Sequence, residues 1–264
     1  MIRYSQNKGS KATAASTAET ITFTSGDVLG TGVRAYHMNM TGTAGDLDSL
    51  TTLVVKAAGQ NIWSAEESHH RAFVQSMAPS NFDEAAGDTR LTIPLYFVDR
   101  PKTDNTKFNC GFPNGKAPTL EISKDNTQSG AGTMFMGWTY DDDESRLPQW
   151  YPMFLVQDTN AGASASDAWT PITQKGFIAG FSVETTNLTS MRLQLNGKDV
   201  LDLNMAQLLE AQQLGNTDVD TDPIFFRLDE PVPNSGLSGF YITANASWVT
   251  TDQVGIYSYV PQGQ

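Results

Sequence analysis

The feature that most constrains this chain is that one order of elements occurs in it twice, first from Gly32 to about Trp138 and again from Gly176 to about Tyr259. Each run opens on a glycine-led, strand-like stretch, GVRAYHMNM at Gly32 and GFIAGFSVE at Gly176. A short alternating stretch follows (Leu53 to Lys56; Leu193 to Asn196), then a glycine turn (Gly59; Gly197) and a capped helix. Next come a strand closed by a charged residue and a proline (Arg100-Pro101; Glu230-Pro231), a Pro-Asn turn (Pro113-Asn114; Pro233-Asn234) and two more strands. A fixed order of elements repeated along a chain marks an internal duplication. With a period as long as a domain, it predicts two copies of one β-rich fold.

The helix starts register the copies on each other. Ser64-Ala65-Glu66-Glu67 has the form of a capping box, in which the serine accepts from the N–H three residues on and the glutamate reaches back. Asn204-Met205-Ala206-Gln207 offers the same reciprocity with amides. The two caps, Ser64 and Asn204, and the two leucines, Leu53 and Leu193, are both 140 residues apart. Leu201, Met205, Leu208 and Leu209 predict one apolar helix face, and Ala65, Ala72, Phe73 and Met77 a thinner one. Leu203 and Leu208 are spaced for a hydrophobic staple, which Trp63 and Ser68 are not.

Elsewhere the apolar residues alternate as half-buried sheets require. Met191, Leu193 and Leu195 oppose Arg192, Gln194 and Asn196; Leu91, Ile93, Leu95 and Phe97 oppose Thr92, Pro94 and Tyr96. Leu120 and Ile122, then Met134, Met136 and Trp138, repeat the pattern. Pro94 cannot donate to a ladder, which predicts an edge or bulged strand. Of the 264 residues 39% are hydrophobic and only 17% charged, and the chain is rich in the Thr, Ser, Asn and Gly of strands and turns. Many short strands parted by turn signals, with one helix per copy, predict an all-β protein of two consecutive eight-stranded jelly-roll β-sandwiches, each with a short helix. The expected divisions are a flexible N-terminal arm over 1–19, a first jelly roll over 20–148, a connection over 149–168 and a second jelly roll over 169–264. The arm is polar and slightly basic, with Arg3, Lys8 and Lys11 against Glu19; it lacks the apolar centre of a signal peptide. No stretch approaches the roughly 20 apolar residues of a membrane-spanning helix.

The search for chemistry yields little. Cys110 is alone, which excludes an intrachain disulfide and suits a small apolar filler better than a nucleophile. Of the three histidines, His37 belongs to a strand, while His69 and His70 are consecutive on a helix and cannot chelate one metal from one face. No nucleophile elbow, phosphate loop, dinucleotide fingerprint or CxxC occurs, so no catalytic residue is assigned and the protein is expected not to be an enzyme. A glycosidase needs only two carboxylates, but nothing in the spacing of 29 acids selects a pair. Two acidic clusters stand out: the run Asp141 to Glu144, and the alternating Asp218, Asp220 and Asp222. Both read first as solvated loops; the second, whose spacing lets oxygens converge, is a weak calcium candidate. It is not an EF-hand, because Pro223 and Asp229 fall where glycine and glutamate belong. No other cofactor is indicated. A formal charge of −12 argues against direct binding of nucleic acid, whose phosphates call for lysine and arginine.

The segment RLQLNGKDVLDL, Arg192 to Leu203, leading into a helix within the second of two jelly rolls, resembles the double jelly-roll major capsid proteins of tailless, membrane-containing icosahedral bacteriophages. These are corticovirus-like proteins, with adenovirus hexon a distant and much larger relative. The resemblance covers about residues 20 to 262. It implies a structural protein of the virion capsid, made in the host cytoplasm. It also implies a homotrimer of pseudo-hexagonal outline, since three chains bring six barrels, tiling a shell around an internal membrane. Partners would be neighbouring capsomers and vertex proteins, with the N-terminal arm able to touch the membrane. The high negative charge leads to the expectation that assembly needs salt or a divalent cation. Two other classes are carried beside this one: a two-domain carbohydrate-binding or adhesive β-sandwich protein, stacking sugars on Trp138, Trp150, Tyr151, Trp169 or Trp248, and a glycan-cleaving enzyme on a double jelly roll.

Overall fold

The computed structural model describes residues 2–24, 32–42, 49–57, 60–66, 68–70, 72–73, 90–94, 112–113, 119–128, 130–141, 150–158, 165–170, 176–183, 188–195, 197–204, 206–208, 210, 223–233, 237–248 and 253–261. They form seventeen strands and two short helical segments. Contacts divide the chain into two compact units. One holds Met1–Glu67, Asp83–Pro152 and Pro261–Gln264; the other holds Ser68–Phe82 and Met153–Val260.

The first unit contains β1 (Ile2–Thr13), β2 (Glu19–Thr24), β3 (Gly32–Gly42), β4 (Leu50–Ala57), β5 (Gln60–Glu66), β6 (Arg90–Pro94), the two-residue β7 (Phe112–Pro113), β8 (Thr119–Lys124) and β9 (Gly132–Asp141). Its strands run in the orders β1-β9-β3-β6, with β7 also on β3, and β2-β8-β4-β5. The second unit contains β10 (Trp150–Asp158), β11 (Ala165–Thr170), β12 (Phe177–Val183), β13 (Leu188–Leu195), β14 (Lys198–Asn204), β15 (Ile224–Pro233), β16 (Leu237–Trp248) and β17 (Gln253–Pro261). Their orders are β10-β17-β12-β15 and β11-β16-β13-β14. Numbered within its own unit and leaving β7 aside, each set of eight strands reads 1-8-3-6 and 2-7-4-5. The chain therefore passes between two sheets in the same sequence twice, with only the fourth and fifth strands consecutive in one sheet, and this is the jelly-roll connection. The duplication read from the sequence is present in the topology.

The register between the copies is two residues different from the one that the caps suggest. β4 and β5 end at Ala57 and Glu66, β13 and β14 at Leu195 and Asn204, an offset of 138 in both cases. The helical residues begin at 68 and 206, the same offset. Val55 then corresponds to Leu193 and Leu53 to Met191, and all four are buried. Ser64 caps no helix: it lies inside β5, opposite Val54. The strand continues through it because Ile62, Trp63 and Ala65 are buried, and that burial outweighs a local capping preference. The second box forms as read. Asn204 Oδ1 accepts from the Gln207 N–H at 3.0 Å, and Gln207 Oε1 accepts from the Asn204 N–H at 3.0 Å. Leu203 and Leu208, the staple pair, both pack in the core, whereas Leu201 belongs to β14 rather than to the helix.

Two stretches expected to connect are strands instead. Residues 2–13, expected as a mobile arm, form β1, paired with β9 from Ile2 opposite Asp141 to Thr13 opposite Gly132, with an irregularity between Ser5 and Gly9. A strand with one neighbour needs no apolar alternation to be held by its ladder, so its polar sequence concealed it. Most of 149–168 is likewise β10 and the start of β11. Pro94 closes β6, whose pairing among the described residues is with β3, as expected of an edge. β15, in the same sixth place of the second unit, ends on Pro231 and Pro233 and pairs with β12. Gly197 turns β13 into β14 with φ of 74°, the left-handed region that glycine adopts without a Cβ clash.

Each unit buries its own apolar set. In the first, β8 alternates half-buried and buried residues along its length, with Leu120 and Ile122 inward. In the second, one face of β12, β15 and β17 contributes Ile178, Phe181, Val183, Ile224, Phe226, Leu228, Val254 and Ile256 to a core completed by Met191, Leu193 and Leu208. The opposite face is buried as well, and the functional question begins there.

Candidate functional site

The residues singled out for chemistry do not assemble into a site within the described part of the molecule. Asp218, Asp220 and Asp222 lie outside the described residues, as do Cys110 and Asp142 to Glu144. Asp141 ends β9, opposite Ile2 and Gly32. His37 lies in β3, opposite Thr92 and Gly137. Among the described residues no three His, Cys, Asp or Glu side chains converge as a cation site. Of the five aromatic residues proposed to stack on sugars, only the side chain of Trp150 is described, and it is half-buried at the start of β10.

What the second unit builds instead is a sealed aromatic layer. Glycines at Gly180 in β12 and Gly255 in β17 leave the outer face of this sheet flat. A Cβ at Gly180 would lie 2.6 Å from the Phe225 ring, and one at Gly255 would lie 2.8 Å from the Phe154 ring. Phe154, Phe225, Tyr257 and Tyr259 occupy the space, and the helical residues 68–70 and 72–73 cover it. The Phe73 ring centre lies 4.8 Å from that of Tyr257, 5.0 Å edge-on from Phe225 and 5.6 Å from Phe154, inside the range of favourable aromatic pairs. Beside them His69 Nδ1 and Ser182 Oγ are 2.6 Å apart. A serine and a histidine at this distance form the pair that nucleophilic catalysis uses. Here both side chains are completely buried, so no substrate reaches the hydroxyl, and the contact ties the helical segment to β12. Sequence reasoning set the two histidines aside as a helix pair and missed Ser182. The available signal was a lone hydroxyl inside an otherwise apolar strand.

The first unit places its polar work at a corner. The turn from β1 to β2 and the turn from β8 to β9 both cross between its sheets, side by side. Ser16, with φ of 48°, donates its N–H to the Gln128 carbonyl at 2.7 Å. Gln128 Nε2 donates to Thr13 Oγ1 at 2.9 Å and to the Gly130 carbonyl at 2.7 Å. Lys124, at the end of β8, has no exposed side-chain surface; its ammonium donates to the carbonyls of Ala14 at 2.8 Å and Thr17, and lies 3.4 Å from Glu19. A buried charge needs such a full set of partners, because desolvating it alone is prohibitive. Asp125, the next residue, accepts from the Thr127 N–H and hydroxyl, and those two bonds hold its carboxyl below the usual carboxylate range. The first arrangement ties the helical residues to β12, and the second ties two crossings of the chain to each other.

No protein-family model and no curated protein matches the chain. Solved structures do, along its entire length. The major capsid protein P2 of bacteriophage PM2 covers 100% of this chain and 99% of its own, with a TM-score of 0.70 and 12% identity. The structure of Sulfolobus turreted icosahedral virus covers 99% of this chain and 91% of its own, with a TM-score of 0.68 and 12% identity. The Faustovirus major capsid protein covers 99% and 90%, with a TM-score of 0.55 and 7% identity. At such identities the likeness is one of fold. Taken with the strand order repeated in both units, it establishes that this chain has the double jelly-roll fold of those viral major capsid proteins.

Proposed function

We propose that this chain is a viral major capsid protein, a structural brick of an icosahedral shell and not an enzyme. The observation that carries the reading is that both jelly rolls together match viral major capsid proteins over nearly the full length of each. The interior supports it. The buried polar groups described above tie crossings together, which suits a brick that must hold its shape rather than turn over a substrate. In this reading three chains form a homotrimer presenting six jelly rolls, a pseudo-hexagonal capsomer around an internal membrane, with neighbouring capsomers and vertex proteins as partners. The cell makes it in the host cytoplasm, and it resides in the virion. Any contact of Arg3, Lys8 and Lys11 with the membrane would be made from strand β1 rather than from a free arm.

Size-exclusion chromatography with light scattering, followed by negative-stain imaging of the purified chain, tests this. A stable trimer with a six-lobed outline is expected; a monomer that binds a glycan array would overturn the reading in favour of a sugar-binding protein. The charge of −12 per chain places the second test at the cation. Assembled particles stripped with EDTA at low salt should lose light scattering, and restoring calcium should recover it if the Asp218, Asp220 and Asp222 loop is the site.

A further inference from the structure

We infer that the helical residues 68–70 and 72–73 belong to a strap that closes the second jelly roll, so that the second half of the chain reaches its full fold only when the first half supplies this segment. The inference concerns folding of the single chain and stands whether or not copies assemble into a shell. Its first ground is position. The segment follows β5 in sequence and precedes β6, both of the first unit, yet its contacts place Ser68–Phe82 with Met153–Val260. Its second ground is fit. Phe73 meets Phe154, Phe225 and Tyr257 at once, and His69 reaches Ser182 on β12. The third ground is what lies beneath. Gly180 and Gly255 have side-chain space for nothing more, because the rings of Phe225 and Phe154 already fill it. Without the strap a face bearing Phe154, Phe225 and Tyr257 would lie open to water, an apolar patch that soluble domains rarely expose.

The second copy supplies the control. Its helical residues occupy the same slot after the fifth strand, 138 residues on, and Leu208 from them enters the core of their own unit. The same topological slot is thus used once at home and once for the other jelly roll. The order of synthesis follows from this: the strap is already made when β12, β15 and β17 emerge, and it waits for them.

Hydrogen exchange on the full-length chain decides the matter, because it reads β12, β15 and β17 separately from β4 and β8. In Phe73→Ala the amides of β12, β15 and β17 should exchange at least about tenfold faster while those of β4 and β8 keep their rates, and Phe73→Leu should fall between. Unchanged exchange in β12, β15 and β17, or equal acceleration in β4 and β8, overturns the strap. If Phe73→Ala gives no folded protein, Ser182→Ala removes only the tie to His69 and carries the same contrast at about fivefold.

Discussion

Over residues 132–137, strand β9 of the first jelly roll buries Met134 and Met136 and leaves the residues beside them half-buried, whereas β17, in the same eighth place of the second, buries seven in succession, from Val254 to Val260. The two units have one strand order, yet they treat the outer face of a sheet differently. In the first, the outward positions of β9 carry the half-buried Thr133, Phe135 and Gly137, and its other sheet carries the exposed Thr20, Thr22 and Thr24 on β2 and the pair Lys56 and Glu121, bonded at 2.6 Å. In the second, Gly180, Ser182, Gly255 and Tyr257 face an aromatic layer under the strap. Strand order alone therefore does not fix how deeply the outer face of a sheet is buried. That depth rests on what each face has been given to pack against, and it explains how two copies can keep a fold while losing sequence identity.

The contrast can be broken most directly at the flat positions. Gly180→Val places atoms 2.6 Å from the Phe225 ring and 2.8 Å from the Phe226 carbonyl oxygen, and should cost about 3 kcal/mol or more, whereas Thr22→Val on the exposed face of β2 should be nearly neutral. Thermal unfolding followed by circular dichroism compares the two; equal melting temperatures would remove the distinction between the faces. Next in size is the polar corner of the first unit. Lys124→Met strips the carbonyls of Ala14 and Thr17 of their buried donor and should cost about 2–3 kcal/mol, read as a lower urea midpoint. An unchanged midpoint would mean that the corner is held by Gln128 alone.

Smaller still is the cap. Asn204→Ala removes one half of a reciprocal pair and should cost about 1 kcal/mol, while Ser64→Ala, at the residue that sequence alone equates with it, should cost less because Ser64 caps nothing. Equal losses in urea titrations would restore the 140-residue register. The smallest effect is Asp125. Its bonds to Thr127 favour the charged carboxyl in the folded state, so the stability it adds is present above the ordinary carboxylate range and is lost as the pH falls through its lowered value. Because the group lies at the surface the effect is slight, and Asp125→Asn should flatten that part of the acid-unfolding curve; an unaltered curve refutes the assignment.

Much of this was legible in the sequence, and the rest was hidden for identifiable reasons. The order of elements, the inward set Met191, Leu193, Leu120, Ile122, Met134 and Met136, and the cap at Asn204 followed from periodicity and local chemistry, which act over a few residues. β1 was missed because its ladder to β9 joins residues about 130 positions apart and leaves no apolar signature. The Ser64 box misled because capping motifs describe a preference that burial of Ile62, Trp63 and Ala65 overrides. Ser182 and His69, 113 residues apart, meet only through the fold, and no window of sequence contains both. The calcium candidate lies outside the described residues, and its test remains the one with EDTA.

The prolines that close β6 and β15 have a further consequence. A proline carries no amide hydrogen, so the sixth strand of either jelly roll is a poor template for a stranger's backbone to zip onto. Pairing of one copy's backbone with another's along these two margins is thereby disfavoured, and fibril-like growth through them with it.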